Sequence, residues 1–560
     1  MSTTEKIKTA RKKFNMCSKT VITNNNCDFS EVRMNTFFFS FFKTTYGIVF
    51  TIILAILFLC VDISYSFKKD LILSNNVILF IDISLIFIIG VCYYWLKSKK
   101  TVLSKTYINI NIDRLILVTT GILFLGQLYV FHNIFFLSGW DVSYVRDFVE
   151  TFLYNRDLEK VNFYYSRYPN NLLISYIFLF IQKTNQYFGI FNNDYTFFPL
   201  VIFNCAINSL SCWLSYKTAK LFTSSYWAIF AYIFCVFSIG ISGWTVIAYS
   251  DAFSLFFPIL SVYLYCKHYK HPQTKIAGLI FASIVSAIGY FIKPQCLFVL
   301  IGILILEVLK LFSKPSLKAL LRPLVLSLVA VLVFSSVNFS LTFFNQKYNI
   351  QIDNEQKFGI SHFLMMGANQ ETNGVFSGPD NDFSASFTNS EERNNANINV
   401  FIERITTMKF NFVTHLAKKM LTTFNDGTFA WGDEGTFISI VPADVNIKMA
   451  PFLKSIYYFG HNYLYFATFQ HIIWIFVLLG ALLTVTTKKN NCEHHKITLI
   501  WITLLGFVLY EMFFEVRARY VYIFVPLFCT LVPIGLKNIC LIMSDFTDCI
   551  KKRIERTKNK

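Results

Sequence analysis

Apolar runs of nearly uniform length, separated by short polar connections, repeat along most of the chain. A helix needs about 20 apolar residues to cross the hydrocarbon core of a bilayer, and most runs are close to that length. The pattern therefore predicts helices at 46–64, 76–96, 115–137, 170–189, 196–216, 226–247, 251–267, 275–292, 294–312, 321–343, 466–486, 497–514 and 519–541. The predicted fold class is an all-α polytopic membrane protein.

The composition supports this fold class and excludes a soluble protein. Of 560 residues, 54% are hydrophobic, 15% are charged and 63 are Phe, and the mean hydropathy is +0.49. A soluble domain cannot bury that much apolar surface, because its exterior must carry charge. The net charge of +18 fits the Lys and Arg that collect in cytoplasmic loops, so no nucleic-acid partner is predicted.

Basic residues orient the predicted helices in the cell membrane. The most basic connections are 97–105, 267–275, 310–322, 488–496 and 551–560. The positive-inside rule places all five connections in the cytoplasm. This is possible only if one of the four predicted spans between residues 138 and 267 does not cross the membrane. Segment 170–189 opens with Asn170 and Asn171 and carries Gln182, Lys183, Asn185 and Gln186, so we interpret it as interfacial or half-inserted. Twelve helices then cross, within a range of eleven to thirteen, and both termini are cytoplasmic.

This topology divides the chain into six segments. A basic N-terminus and a transmembrane hairpin precede a core that contains the first outer loop. A large outer loop, the last helices and a basic cytoplasmic tail follow. The predicted bounds are 1–45, 46–114, 115–343 with the first outer loop at 138–190, 344–465, 466–541 and 542–560.

Ionisable residues in the first outer loop are candidates for chemistry. Asp141 and Asp147 directly follow a predicted transmembrane helix, and Arg167 lies further along the same loop. A carboxylate held at the membrane surface can accept a proton from a hydroxyl group, as a general base does. The alternative interpretation is that Asp141 only caps a helix at 142–154.

Two further candidates lie at turns between predicted helices. Asp251 stands at the entrance of helix 251–267, where the alternative is that Ser250 or Asp251 caps the helix. Lys293 precedes Pro294 at membrane depth, and it needs an anion or access to the surface there. A lipid phosphate is the natural anion at that position.

Later turns and the large outer loop add four more candidates. Arg517 and Arg519 lie in an outer turn, and Arg binds phosphate through its planar fork. The alternative is that Glu515 pairs with one of them. Asp426 and Glu434 lie among aromatic and Gly residues that suit a sugar-facing surface; for Asp426 the alternative is an Asp-Gly turn.

No sequence motif for a nucleotide or a metal accompanies these residues. The chain contains no P-loop, GxGxxG or GxSxG motif, and its 13 cysteines form no CxxC pair. His415 and the pair His494–His495 have no other metal-ligand residues in a zinc-site spacing. We therefore predict no nucleotide cofactor and assign no metal ligands.

Taken in order, these features resemble the GT-C superfamily of membrane glycosyltransferases. The resemblance is closest to the bacterial branch related to protein O-mannosyltransferases and lipid A aminoarabinose transferases. It rests on Asp141 in the first outer loop, Pro169-Asn170-Asn171 at a juxtamembrane helix, Asp251 after Tyr249-Ser250, and outer basic residues. It covers about 115–541. Many relatives have two acidic residues in this loop, whereas Asp141 is followed by Val142 here.

The resemblance implies an inverting glycosyltransferase whose active site faces away from the cytoplasm. Its donor would be a sugar linked to polyprenyl phosphate in the membrane, and its acceptor a surface glycan, lipid or protein. Asp141 would be the base, and Asp251 would orient a sugar. Lys293, Arg517 and Arg519 would neutralise the phosphate.

The resemblance also leaves several roles open. Asp147, Arg167, Asp426 and Glu434 are further candidates for substrate binding. Because metal use varies within the superfamily, a divalent cation remains an open cofactor.

Two other functions fit the same features. One is a flippase or transporter of lipid-linked glycan intermediates, and the other is a polymerase that extends a lipid-linked glycan. Transporters commonly show paired repeats and charged residues near mid-membrane, whereas the candidate acids here cluster at loop ends. A polymerase would not need an Asp in the first outer loop, so substitution of Asp141 distinguishes it from the transferase.

Overall fold

The computed structural model confirms a polytopic α-helical protein. It describes residues 29–68, 70–99, 111–192, 195–270, 276–313, 315–435, 438–440, 449–458, 460–487 and 494–558. Helices α1 to α11 are Phe29–Leu59, Asn75–Lys99, Ile112–Asn133, Trp140–Tyr154, Glu159–Arg167, Leu172–Phe188, Phe198–Ala219, Ser225–Cys235, Ser250–Phe253, Phe256–Lys270 and Ala277–Tyr290. Helices α12 to α21 are Leu297–Ser313, Leu317–Lys347, Ile360–Gly367, Gly378–Ala385, Ser390–Met408, Asn411–Phe424, Met449–Tyr457, Tyr463–Leu482, His494–Phe513 and Val525–Lys558.

Within these described residues, nine helices are long and apolar enough to cross a membrane. They are α1, α2, α3, α7, α12, α13, α19, α20 and α21, and each overlaps a span predicted from the sequence. Shorter apolar helical segments lie at Ser225–Gly240 and Ala277–Tyr290. The multi-pass prediction is therefore confirmed, and the count of twelve crossing helices stays a prediction.

The bundle has two distinguishable ends. At one end, which we call the upper end, the ring of Phe135 just after α3 meets the ring of Phe198 at the start of α7, with centroids 5.6 Å apart. At the lower end, Asp113 at the start of α3 pairs with Lys220 just after α7 at 2.5 Å. Helices α3 and α7 are therefore antiparallel neighbours.

Helix α6 stays at the upper end of the bundle. At its start, the Asn171 side chain donates to the Tyr249 hydroxyl at 3.2 Å. Near its end, the Asn185 side chain donates to the Phe191 carbonyl at 3.0 Å, shortly before α7 begins. Both ends of this 17-residue helix thus contact upper-end segments.

The centre of the bundle depends on close helix approach. A Cβ added to Gly535 of α21 would overlap the Gly480 carbonyl oxygen of α19. Inside a membrane, no hydrophobic effect drives helices together. Small residues such as Gly therefore favour association there, because they let two backbones pack closely. Helix α21 also packs against α2, α7 and α8, so it is the central element of the core.

The segment predicted as a large outer loop contains helices. Residues 344–465 include α14 to α18 and strand β2 (Ile438–Ile440). Strand β2 pairs antiparallel with β1 (Leu137–Ser138), which follows α3, with Leu137 opposite Ile440. The backbone therefore ties this segment to the first outer loop at the upper end.

Candidate functional site

Six charged side chains from four separated segments meet at the upper end of the bundle. We call them the charge cluster; its members are Asp251, Lys293, Glu434, Glu515, Arg517 and Arg519. Five are buried and Arg517 is half-buried. Three carboxylates face three cations, so the formal charge of the cluster is zero.

Two of the cations are held by direct hydrogen bonds. Lys293 Nζ donates to Asp251 Oδ1. Arg517 Nε donates to Glu515 Oε1 at 2.8 Å, and its Nη1 donates to Glu434 Oε1. Glu515 thus pairs with Arg517, as the alternative interpretation described, and a second carboxylate shares the same guanidinium.

Arg519 is held more loosely than the other two cations. Its Nε lies 3.5 Å from Asp251 Oδ2, and its Nη1 lies 3.3 Å from Glu434 Oε2. Among the described residues, Arg519 Nε, Asp251 Oδ2 and Glu434 Oε2 have no hydrogen-bond partner. Arg519 is thus ion-paired, but part of its hydrogen-bonding capacity is unused.

The capping alternatives for the two candidate acids are wrong. Helix α4 begins at Trp140, its N-cap is Gly139, and no side chain caps it. Helix α9 begins at Ser250 after the N-cap Tyr249, again without a side-chain cap. Asp141 and Asp251 therefore lie in the first turns of their helices without capping them, so their oxygens can bind other groups.

The Asp141 carboxylate lies beside the Tyr249 hydroxyl. Tyr249 donates to Asp141 Oδ2 at 3.5 Å and accepts from Asn171 Nδ2 at 3.2 Å. Burial, together with the charge of Asp141, raises the pKa of Tyr249, so this phenol stays a donor. Asp141 is half-buried and forms no ion pair among the described side chains, in contrast to the acids of the charge cluster.

Trp140 connects Asp141 to the charge cluster. The Arg519 guanidinium lies 4.2 Å from the centre of the Trp140 ring, and the Tyr249 ring meets the same indole edge-on at 5.0 Å. Trp140 has a φ of 44°, which is unfavourable for a bulky residue and persists only where the surroundings enforce it. Its indole N–H donates to Ser138 Oγ at 2.9 Å.

Asp426 and Arg167 are predicted site residues whose contacts lie outside the charge cluster. Asp426 accepts from the Thr428 and Ala430 N–H groups at 2.7 and 2.8 Å, as the Asp-Gly turn alternative predicted. The Arg167 guanidinium lies 4.1 Å from the Phe163 ring centre.

Asp147 lies on α4 near Tyr165. Burial raises the pKa of Tyr165, and the charges of Asp141 and Asp147 raise it further.

Lys419 is a buried cation that the sequence did not reveal. Its Nζ donates to three backbone carbonyls, those of Gly367 at 2.9 Å, Met512 at 3.1 Å and Phe514 at 2.8 Å. Burial lowers the pKa of Lys419 to about 7. Because Phe514 leads directly into Glu515 and Arg517, Lys419 fixes the backbone that carries half of the charge cluster.

A comparison with protein families supports the membrane assignment. A family model described as conserved hypothetical integral membrane protein matches residues 36–539. The chain belongs to this family. Asp141 and every member of the charge cluster lie within the part that matches the conserved hypothetical integral membrane protein family. No curated protein matches the chain.

The described side chains do not form a metal centre. Among them, no group of three or more His, Cys, Asp or Glu residues is placed to hold a metal ion. The acids of the charge cluster face Lys and Arg instead.

Proposed function

We propose that the protein is a membrane glycosyltransferase that moves a sugar from a polyprenyl-phosphate donor to an acceptor hydroxyl, with inversion at the sugar. The observation that carries the proposal is the position of Asp141. Its carboxylate is half-buried, has no ion-pair partner among the described residues and lies one residue from Trp140, which contacts Arg519. A base and a cation are thus adjacent at one end of a membrane bundle.

We place this end of the bundle outside the cell. Basic side chains end two helices at the lower end: Lys217 and Lys220 close α7, and Lys310 lies in the last turn of α12, which begins beside Lys293. Cytoplasmic ends of membrane helices are enriched in Lys and Arg. The acceptor would then be a cell-surface glycan, lipid or protein.

In the proposed reaction, Asp141 takes the proton of the acceptor hydroxyl. The acceptor oxygen forms a bond to the anomeric carbon, and the bond between that carbon and the phosphate oxygen breaks. The phosphate leaves with the bonding electron pair. A positioned base contributes about 10²–10⁴-fold to such a reaction, and the alignment of acceptor and donor contributes much of the rest.

Arg519 is the cation best suited to receive the leaving phosphate. Lys293 and Arg517 already donate hydrogen bonds to carboxylates, whereas Arg519 only lies near Asp251 at 3.5 Å and near Glu434 at 3.3 Å. Arg binds phosphate through two parallel N–H groups. Asp251 and Glu434 would hold the guanidinium from the side opposite the donor, and Lys293 and Arg517 would balance their charges.

The test uses membranes that contain the full chain and a panel of radiolabelled polyprenyl-phosphate sugars. Wild type should transfer label to a surface acceptor. The transfer rate of Asp141→Asn should be lower by at least about 10²-fold, the smaller contribution expected of a positioned base. Asp157→Asn is the matched control, because Asp157 is exposed in the same loop and caps the Glu159 N–H at 3.2 Å.

Two results would contradict the proposal. Retained transfer by Asp141→Asn would remove Asp141 as the base. If wild type transfers no label but accelerates movement of the lipid-linked sugar between leaflets, the protein is a flippase rather than a transferase.

A further inference from the structure

Asp82 is a buried acid within the apolar helix α2, about a third of the way from its start at Asn75 to its end at Lys99. It is the only charged residue between the start of α2 and Lys97. Its side chain is 0% exposed, and neither carboxyl oxygen has a hydrogen-bond partner among the described residues. Buried polar groups are nearly always hydrogen-bonded, so an exception calls for an explanation.

The position of Asp82 on α2 shows that it faces protein rather than lipid. Asn75, Ile78, Asp82 and Gly90 are buried and recur at helical spacing, whereas Phe80 on another face is 73% exposed. The buried stripe packs against α19 and α21. An added Cβ at Gly90 of α2 would overlap the Met543 side chain of α21, so α2 and α21 are in close contact.

No described cation neutralises Asp82. The titratable side chains at membrane depth on the helices packed against α2 are Tyr46 of α1, His471 of α19, and Cys529, Lys537 and Cys540 of α21. None of them forms a hydrogen bond or an ion pair with Asp82 in the described part of the chain. His471 Nδ1 instead accepts from the Gly427 N–H at 3.2 Å.

We propose that Asp82 is a proton-binding site inside the bundle, occupied at neutral pH. An unpaired carboxylate in an apolar interface is strongly disfavoured, whereas the neutral acid carries no charge to desolvate. Ionisable residues inside membrane helices commonly mark proton pathways. Because the carboxyl group is enclosed, the proton exchanges only when α2 separates from α19 and α21. This site is independent of the proposed glycosyl transfer.

Infrared difference spectroscopy of the full chain in lipid nanodiscs tests the site. At neutral pH, the difference spectrum of wild type minus Asp82→Asn should contain the C=O stretching band of a protonated carboxylic acid. The band should lie at the high-frequency edge of the range for carboxylic acids, because the group lacks hydrogen bonds. The band should fade as the pH is raised, carboxylate bands should replace it, and both changes should reverse. Asp113→Asn is the matched control, since Asp113 is paired with Lys220 and should contribute only carboxylate bands.

If Asp82→Asn folds poorly, wild type and Asp82→Glu labelled with ¹³C-aspartate replace it: the label marks bands of aspartic acids, and the Asp82 band is the labelled band that Asp82→Glu lacks. Only an aspartic acid band shifts to lower frequency on labelling. The proposal is overturned if Asp82 contributes carboxylate bands at neutral pH. It is equally overturned if its acid band stays constant over the whole pH range in which the protein remains folded.

Discussion

Arg519 stacks over the ring of Trp140, with its guanidinium carbon 4.2 Å from the ring centre, and Trp140 directly precedes Asp141. This contact joins two segments separated by almost 380 positions in the chain. It places the cation of the charge cluster with the weakest contacts beside Asp141, a candidate acid that forms no ion pair among the described residues. Electrostatic stabilisation of a leaving group requires such an arrangement to exist before the substrate arrives.

Substitution of the two arginines should separate catalysis from folding. In Arg519→Met, Asp251 keeps Lys293 and Glu434 keeps Arg517, so we expect a folded protein whose transfer rate falls by about 10²–10³-fold. In Arg517→Met, buried Glu515 loses its hydrogen-bond partner, which should destabilise the fold by about 3–5 kcal/mol. Melting in detergent and transfer in membranes measure the two effects.

Arg519→Lys is the control for geometry, because Lys keeps the charge but loses the planar fork. It should be as stable as Arg519→Met and should recover little of the transfer activity. If Arg519→Met melts as early as Arg517→Met, Arg519 is a structural cation and its assignment to the phosphate is wrong.

The pair formed by Lys293 and Asp251 should show strong coupling in a double-mutant cycle. Lys293→Met leaves the Asp251 carboxylate with only the loose contact to Arg519 at 3.5 Å. The single substitution should therefore lower the unfolding free energy by about 3–5 kcal/mol, because an uncompensated charge stays buried. Lys293→Met combined with Asp251→Asn should recover most of this loss. Additive melting shifts would show that the two side chains do not interact.

Trp140 should respond differently to Gly and to Ala. Both substitutions remove the ring over Arg519, but only Gly adopts a φ of 44° without strain. Trp140→Gly should therefore be more stable than Trp140→Ala, by roughly 1–2 kcal/mol. Trp140→Phe keeps a ring and should retain more transfer activity than either. Equal melting temperatures for the Gly and Ala variants would show that the backbone relaxes on loss of the indole.

The sequence located the helices better than it located their contacts. Twenty consecutive apolar residues have few structural solutions other than a membrane helix, so the spans could be predicted from pattern alone. Lys293 stood out because charge at membrane depth is costly, and Arg517 and Arg519 stood out because they lie in an outer turn. Their partners could not be predicted, since Asp251 and Arg519 meet only through the packing of helices that are far apart in sequence.

Two features lacked a sequence signal. The helices between 344 and 465 are mostly short, and α15 and α16 are polar, so no long apolar run marks them. Lys418 and Lys419 are adjacent and chemically identical, but only Lys419 is buried. Its three partners are backbone carbonyls from two distant segments, and carbonyl positions are set by the fold rather than by side-chain identity.

Lys419 should give the protein a measurable pH dependence of stability. Burial lowers the pKa of Lys419 to about 7, whereas an unfolded lysine titrates near 10.4. Between these values the unfolded chain holds a proton that the folded chain lacks. Stability should therefore rise with pH in this window, by at most about 1.4 kcal/mol per pH unit from this group, and the contribution should be constant below pH 7.

Melting in detergent between pH 6 and 9, for wild type and Lys419→Met, isolates this contribution. The stability of wild type relative to Lys419→Met should increase above pH 7, because the variant cannot titrate at this position. Lys418→Met should follow wild type across the range, since Lys418 is not enclosed by the three carbonyls. If the difference in stability between wild type and Lys419→Met does not change with pH, Lys419 remains charged while it donates to the three carbonyls.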